Sequence, residues 1–551
     1  MRERMRTMRL YIADSTDNLR TIALKYEIGI KELICLNPHI IDPLSNIAGQ
    51  QVKLPPLKGL SDKNVDLPPC TLQLINPEAR EQWIPLSSLD EMQHKEYDVL
   101  IVGTGAGGGA VLRRLIQQLA NSGKRIGVLE RGGLLIPTHA QNIETMTSRR
   151  VFDYYSSQAN YIDNYLSGQI YALGGRTLFW SSTCPRMTDS ELLQWPIPLS
   201  ELTRYYDLAE KALSVTPNFT KGAPLTQLLL DRLQRNGYPD ATDEPLAVNL
   251  EPPNAFGVMN SNPVFSSVHF LAEALNYPYD LAIHARVVKV LTDQNRCVGV
   301  EVISHNKQTF TLKAKNVVLS ASTFGSAQIL LNSDIEGRAI GHYMTNHSRV
   351  LGLGQINRNE FPEVLGPLRI LVPGQIDRPY QIQIIGPDNY PWVQYAEQPL
   401  REKWSFFLAT LGKVETRYDN YVSLDPVKRD KDGVPELNIH FSYSAKDEEV
   451  IRLMGEGVKQ AAAAMNAALV SDEGPALCQL TIGSDIHEMG TCRMGEDPST
   501  SATNHFGQIH GITGLYVADN SVIPTSGTAN PTLTTVALAF RTADEIAKQL
   551  K

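Results

Sequence analysis

Cysteine is scarce in this chain: six in 551 residues, at Cys35, Cys70, Cys184, Cys297, Cys478 and Cys492, with no CxxC pair. That spacing argues against a disulfide scaffold and the common zinc motifs, and suits reduced thiols in a cytoplasm. No apolar run approaches the roughly 18 residues of a membrane span. The basic start, MRERMRTMRLYIADSTDN, lacks the apolar core of about 7–15 residues that a secretory signal carries, so a cytoplasmic location is expected. Positive charge is short too. The 51 Lys and Arg stand against 59 Asp and Glu, a net charge of −8, which disfavours nucleic acid or an anionic membrane surface as partner. With 42% hydrophobic and 20% charged residues, the composition is that of a globular chain too long for one core.

Residues 1–57 read as a small unit. LYIADSTDN gives a strand, and NLRTIALKYEI places Leu19, Ile22, Ala23 and Tyr26 at helical spacing. IKELICLNP repeats the pattern and stops at Asn37-Pro38, and IAGQQVKLPP gives a second strand. Residues 58–95, with Pro68-Pro69 and little periodicity, read as a linker.

A second kind of pattern begins at EYDVLIVGTGAGGGAVLRRLIQQLANSGKRIGVLERGG. A buried strand from Tyr97 to Val102 leads into a glycine turn, a helix over Ala110 to Leu119, and a strand Ile126 to Leu129 that ends at Glu130. Gly103, Gly105 and Gly108 have the GxGxxG spacing, with Ala106 and Gly107 between them. Gly103 permits the tight turn, Gly105 lets the backbone approach a pyrophosphate, and Gly108 lets helix and strand pack closely. The free N–H groups of the helix start face the phosphates. Glu130, followed by Arg131, is placed to accept ribose hydroxyls, which argues against a 2′-phosphate.

Three further segments point to FAD as the dinucleotide. GQIYALGGRTLFWSSTCPRM is another glycine turn, carrying Gly174, Gly175, Thr177 and Trp180. Ala285 to Ser320, with Val287, reads as a run of strands followed by a helix from about Gly325. GITGLYVADNSVIPTSGTANPTLTTVALAFRTADEIAKQL is a strand ending at Asp519 and Asn520, a loop, and a helix. Together they describe one nucleotide fold whose pieces are dispersed along the chain.

With those residues in view, 96–551 resembles the glucose–methanol–choline (GMC) family of flavin oxidoreductases, most nearly its pyranose-oxidase-like branch. The resemblance rests on YDVLIVGTGAGG, GGRTLFW, WPIPLSELTRYYDLAEKAL, NVVLSASTFGSAQILLNS, HEMGTCRMG and LYVADNSVIPTSGTANPTLTTVALAFRTAD, and is thin over 345–405. The N-terminal unit resembles a LysM module through TDNLRTIALKYEIGIKELICLNP and AGQQVKLP, departing from it at Thr16-Asp17-Asn18-Leu19. The implied fold is α/β: a Rossmann-like FAD-binding domain of discontinuous segments, an inserted α+β substrate domain with an antiparallel sheet, and the small βααβ module. The FAD domain would span 96–340, with some substrate-domain elements in 185–280, and resume at 481–551. The substrate domain would span 341–480.

The resemblance also assigns roles. His487 in HEMGTCRMG matches the catalytic histidine, a residue type suited to taking a hydroxyl proton near neutral pH. Asn530 in TANPT matches its partner, offering an N–H to the developing alkoxide. Pro531 and Thr532 would put backbone groups near flavin N1 and O2. Many pyranose oxidases carry a flavin-linking histidine where this chain has Phe179, so FAD is expected to be non-covalent. Cys492 reads as a small buried residue. His505 and His510 lack metal-ligand spacing, so no metal is expected, and His342 and His347 read as structural. Trp392, Trp404, Phe406 and Phe407 could stack on a sugar, with core packing the plainer reading. The implied reaction is oxidation of a secondary alcohol, on a sugar or glycoside ring, to the ketone, with oxygen or a quinone-type acceptor taking the electrons. Two alternatives remain: a redox-neutral lyase on the same scaffold, or a glycan-binding or assembly protein dominated by the LysM-like module. A homo-oligomer is compatible with either.

Overall fold

The computed structural model describes residues 9–26, 28–55, 84–135, the backbone of 159–162, 165–250, 264–357, 367–386, 403–471 and 475–551. The chain divides into two compact units, Met1–Asn76 and Pro77–Lys551. Trp392, Cys70 and most of the expected linker lie outside the described residues.

In the smaller unit the strands Arg9–Ile12 and Gln51–Leu54 pair antiparallel, with helices Leu19–Lys25 and Ile30–Leu36 between them. Asn18 and Thr21 cap the first helix reciprocally, which satisfies two of its orphan N–H groups. Leu19, Ile22, Leu33, Ile47 and Val52 form the core. The buried Asn37 amide donates to the carbonyls of Leu33 and Lys53, and its oxygen accepts the Lys53 N–H. One side chain thus ties the end of the second helix to the second strand.

The larger unit is organised by a five-stranded parallel sheet in the spatial order Asp280–Ala282, Ile126–Leu129, Val99–Val102, Val317–Leu319, Leu515–Val517. Val99–Val102 reads VLIV and is buried throughout, as a central strand covered on both faces must be. Helices Ala106–Leu119 and Thr532–Leu550 pack together over this sheet's core. The single strand expected over Tyr97 to Val102 is in fact two. Glu96–Tyr97 joins a separate sheet with Ala285–Asp293, Arg296–Ser304 and Thr309–Ala314. The break falls at Asp98, whose carboxylate accepts the Arg125 N–H and whose carbonyl accepts the Asn316 amide. Those bonds turn the chain from one sheet into the other.

A largely antiparallel sheet of eight strands forms the third layer. Val350–Asn357, Lys403–Lys413, Tyr380–Gly386 and Leu368–Val372 are its centre, and Thr242–Asp243 is drawn in at one edge. Helix Ala445–Ala464, opened by a Ser444/Asp447 capping box, packs against its strands. Phe406 lies in that core, so it packs the sheet, and Trp404 is partly buried beside it. Among the described residues no helix is long and apolar enough to cross a membrane.

The edge strand is anchored by a fully buried ion pair, Arg369 Nε to Glu244 at 2.6 Å, with Arg369 also donating to Thr183 Oγ1. Removing one partner strands the other as an uncompensated buried charge. Arg369→Met is therefore expected to lower unfolding free energy by about 3–5 kcal/mol, and Arg369→Met/Glu244→Met to lower it less. Urea unfolding of both variants checks this; a double variant no more stable than the single would contradict it.

Candidate active site

At the C-terminal ends of the parallel strands lies a cavity of about 650 Å³. Small-molecule sites typically fall between about 300 and 1,000 Å³, and open α/β sheets bind ligands at this edge. Gly103, Gly105, Glu130, Arg131, Gly175 and Val287 line it.

The glycines divide into two kinds. A Cβ on Gly103 would stand 2.3 Å from the Ser320 carbonyl oxygen, on Gly107 1.8 Å from that of Ala518, and on Gly108 2.0 Å from that of Gly103. These three are required by protein packing alone. A Cβ on Gly105 would meet nothing within 4 Å, although Gly105 borders the cavity and caps the helix Ala106–Leu119. Its bare backbone fits the close approach of a phosphate, and the helix start beside it offers free N–H groups.

Glu130 is buried beside this turn. One oxygen accepts the Thr104 N–H at 3.0 Å and the Thr104 hydroxyl at 2.6 Å, and the other accepts the Gly132 N–H at 2.8 Å. Burial raises its carboxyl above the ordinary range. The carboxylate thus shapes the turn as well as bordering the cavity. Arg131 covers the Tyr171 ring at 3.8 Å.

In the second glycine turn, Gly174 and Gly175 take left-handed φ of +94° and +55°, and the Gly174 N–H donates to Thr104 Oγ1. Thr177 and Trp180 lie behind the lining: Thr177 bridges Gly174 and Ser267, and the Trp180 indole donates to the Phe265 carbonyl. Asp519 is buried and accepts from Ser326, the Ser521 N–H and the Ser521 hydroxyl, while Asn520 accepts from Thr535. Pro531 and Thr532 open the last helix.

His487 is 20% exposed at its side chain, and its Nδ1 lies 3.0 Å from Nδ1 of the buried His347. His347 Nε2 lies 3.3 Å from the Ser526 carbonyl, which can only accept. A neutral imidazole has one N–H, so His347 carries it on Nε2 and its Nδ1 must accept. His487 therefore donates from Nδ1 and leaves Nε2 unprotonated. Burial favours this neutral state, holding His347 down to about 4 and His487 well below its ordinary 6.5. Asp485 stands 3.6 Å from His487 and 3.7 Å from His347, and burial pushes its carboxyl up to about 7. The three side chains put ligand-type atoms within 4.8 Å of one another. His347, read from the sequence as structural, is thus in direct contact with His487.

Ser526 begins the loop that carries Asn530. Asn530 is 7% exposed, and its Oδ1 accepts from Gln381 Nε2 at 2.9 Å and Gln383 Nε2 at 2.7 Å. Two donors on one oxygen leave the amide nitrogen as the end free to donate elsewhere. Both glutamines belong to the segment YQIQIIG, where polar residues alternate on a buried strand; that alternation was the available signal. Elsewhere, Cys492 is fully buried and its thiol is pushed up to about 12, which suits packing rather than nucleophilic work. His342 stacks on Tyr418 at 3.9 Å, and His505 pairs with Glu496.

The contrast between glycines is testable without any turnover. Gly105→Ala is expected to leave urea unfolding of the apoprotein nearly unchanged and to weaken FAD binding, measured by flavin fluorescence quenching. Gly107→Ala is expected to destabilise the apoprotein itself. Undiminished FAD affinity in Gly105→Ala would refute the phosphate approach.

Known proteins resemble this chain in sequence and in fold. Two family models, both described as GMC oxidoreductase, match residues 118–349 and 416–539. A C-glycoside 3-oxidase of Arthrobacter globiformis is 28% identical over 395 residues, 69% of this chain and 74% of that one. A pyranose 2-oxidase of Tricholoma matsutake is 22% identical over 436 residues, 69% and 73% of the two chains. Among solved structures, a pyridoxine 4-oxidase from Mesorbium loti covers 82% of this chain and 99% of its own at a TM-score of 0.60 and 14% identity, a likeness of fold. The chain belongs to the GMC oxidoreductase family, the FAD-dependent oxidoreductases that act on CH–OH groups.

Proposed function

We propose that this protein oxidises a secondary hydroxyl on a sugar or glycoside ring to the ketone, with His487 as base and Asn530 as its partner. The observation that carries the reading is that each side chain is held in one orientation: an imidazole whose tautomer is set by His347, and an amide turned by Gln381 and Gln383. The C-glycoside 3-oxidase and pyranose 2-oxidase relatives support the substrate class.

Bound FAD supplies the acceptor for the electron pair of the C–H bond. The residues we assign to hold it are the Gly103–Gly108 turn, Glu130, Arg131, Gly174, Gly175 and Val287, with Thr177, Trp180, Asp519, Asn520, Pro531 and Thr532 assigned behind or beside them; the cavity lined by Gly103, Gly105, Glu130, Arg131, Gly175 and Val287 supports this. His487 Nε2 takes the hydroxyl proton, and Nδ1–H keeps its bond to His347 as the ring becomes cationic. Asn530 donates from its amide nitrogen to the substrate oxygen as negative charge develops there. Phe179 is buried and has no ring nitrogen, which supports a non-covalent cofactor.

The smaller unit we read as a LysM-like scaffold, supported by its strand–helix–helix–strand order. Deleting residues 1–57 should abolish any binding to N-acetylglucosamine polymers while alcohol oxidation survives.

The decisive experiment is an anaerobic visible spectrum of the holoprotein titrated with free sugars, glycosides and simple alcohols. The flavin band is expected to bleach with a ring sugar or glycoside, and roughly 10²- to 10⁴-fold more slowly in His487→Ala. Bleaching by simple alcohols alone would defeat the substrate reading, and unimpaired bleaching in His487→Ala would defeat the base. Readmitting air tests oxygen as acceptor. Because a depressed imidazole stays neutral on mild acidification, the acid limb of the reduction rate is expected below pH 6.5. After acid precipitation the flavin should remain in the supernatant; a yellow pellet would show a covalent link.

A further inference from the structure

Arg176 follows the second glycine pair and lines the cofactor cavity. Its guanidinium reaches two other segments. Nη1 donates to the Ile486 carbonyl at 2.9 Å and to Glu488 at 2.7 Å, and Nη2 donates to Ser322 Oγ at 3.2 Å. Glu488 has a fully buried side chain.

Ile486 and Ser322 share an uncommon property. Both have left-handed backbone, at φ +59° and +73°. For a β-branched residue such as isoleucine that conformation is a marked outlier, and it persists only where surrounding contacts impose it. Ile486 immediately precedes His487, while Ser322 borders the cavity and opens the helix Ser322–Asn332. One cation therefore contacts two residues with left-handed backbone, the peptide of Ile486 beside the base and the hydroxyl of Ser322 beside the cavity. The same two segments are stitched again by Thr323 donating to the Glu488 carbonyl and Thr491 donating to the Thr323 carbonyl.

An ion pair serving stability alone would need Glu488 and nothing more. Arg176 instead divides Nη1 between that carboxylate and a strained peptide. We propose that Arg176 is a positioning residue that holds the Ile486 peptide left-handed and so aims the His487 ring. It thereby makes placement of the base depend on the Gly174–Gly175 turn at the cofactor cavity. The proposal rests on the reading of His487 as base.

Glycine adopts positive φ at little cost, so Ile486→Gly removes the need for the brace. The test is stopped-flow anaerobic flavin reduction in the holoenzyme. The reductant is D-glucose, or whichever member of the substrate panel bleaches the flavin faster. Arg176→Met is expected to keep its FAD and to reduce on the order of tenfold more slowly at saturating substrate, with a smaller change in the substrate concentration for half-saturation. Arg176→Met/Ile486→Gly is expected to recover most of that loss. If Arg176→Met does not fold, Arg176→Lys serves, because an ammonium keeps the charge beside Glu488 without the planar fork.

A second readout needs no cofactor. In urea unfolding of the apoprotein, Ile486→Gly should be more unfavourable in the Arg176→Met background than in the parent, because without the brace Ile486 relaxes and glycine has less strain to relieve. Reduction at the parent rate in the arginine variants, a double variant no faster than the single, or equal effects of Ile486→Gly in both backgrounds would each overturn the proposal. His487→Ala separates the two readings. If it reduces at the parent rate, the base assignment fails and takes this inference with it. If it is slow while the arginine variants are fast, only the brace fails.

Discussion

Backbone touching backbone is the constraint on which the larger unit depends. Where Gly103 meets the Ser320 carbonyl and Gly107 meets that of Ala518, there is no room for even a methyl group. Those contacts join the ends of three parallel strands drawn from distant parts of the chain, and the cavity opens where they meet. The loops that leave the same strand ends lead toward the rest of the site: one to Ser322, one to the Asn530 segment. Close packing at a few glycines thus settles where a cofactor can lie and which segments can surround it.

The polar groups of the candidate site are organised by burial. Taking His347 and His487 out of water favours their neutral forms, and the same desolvation raises Asp485. The result is a His487 ring whose Nε2 carries no proton, backed by a histidine whose Nδ1 can only accept. Asn530 is treated alike, since two glutamine donors on its oxygen leave a single orientation open.

How much of this was legible depended on whether a feature is local. The GxGxxG turn, its flanking strands and Glu130 lie within one βαβ unit, and their physics can be read from spacing. The dispersed strands over 285–320 and the last helix carried strong periodicity and appear close to where the sequence placed them. The break at Asp98 was not legible, because it is enforced by Arg125 and Asn316 from other strands. His347 looked structural because nothing nearby in sequence marks it; its partner is 140 residues on. Gln381 and Gln383 fell in the stretch where the family likeness was thinnest. Their alternation on a buried strand was visible, but only the fold shows that both amides converge on Asn530. Arg176 reads in the sequence as one residue of a glycine turn, since Ile486, Glu488 and Ser322, to which it donates, come from two other segments.

The spatial order of the parallel sheet has a consequence for how the protein is made. Its edge strand, Leu515–Val517, and the helix Thr532–Leu550 that packs on the helix Ala106–Leu119 leave the ribosome after the other four strands. Until they emerge, Val317–Leu319 is an unpaired edge and the apolar face of Ala106–Leu119 is bare. Contacts of such long sequence separation form slowly, and exposed edges aggregate while they wait. Until that strand and helix arrive the nucleotide fold is incomplete, and its open edge is the part of the nascent chain most exposed to wrong pairing.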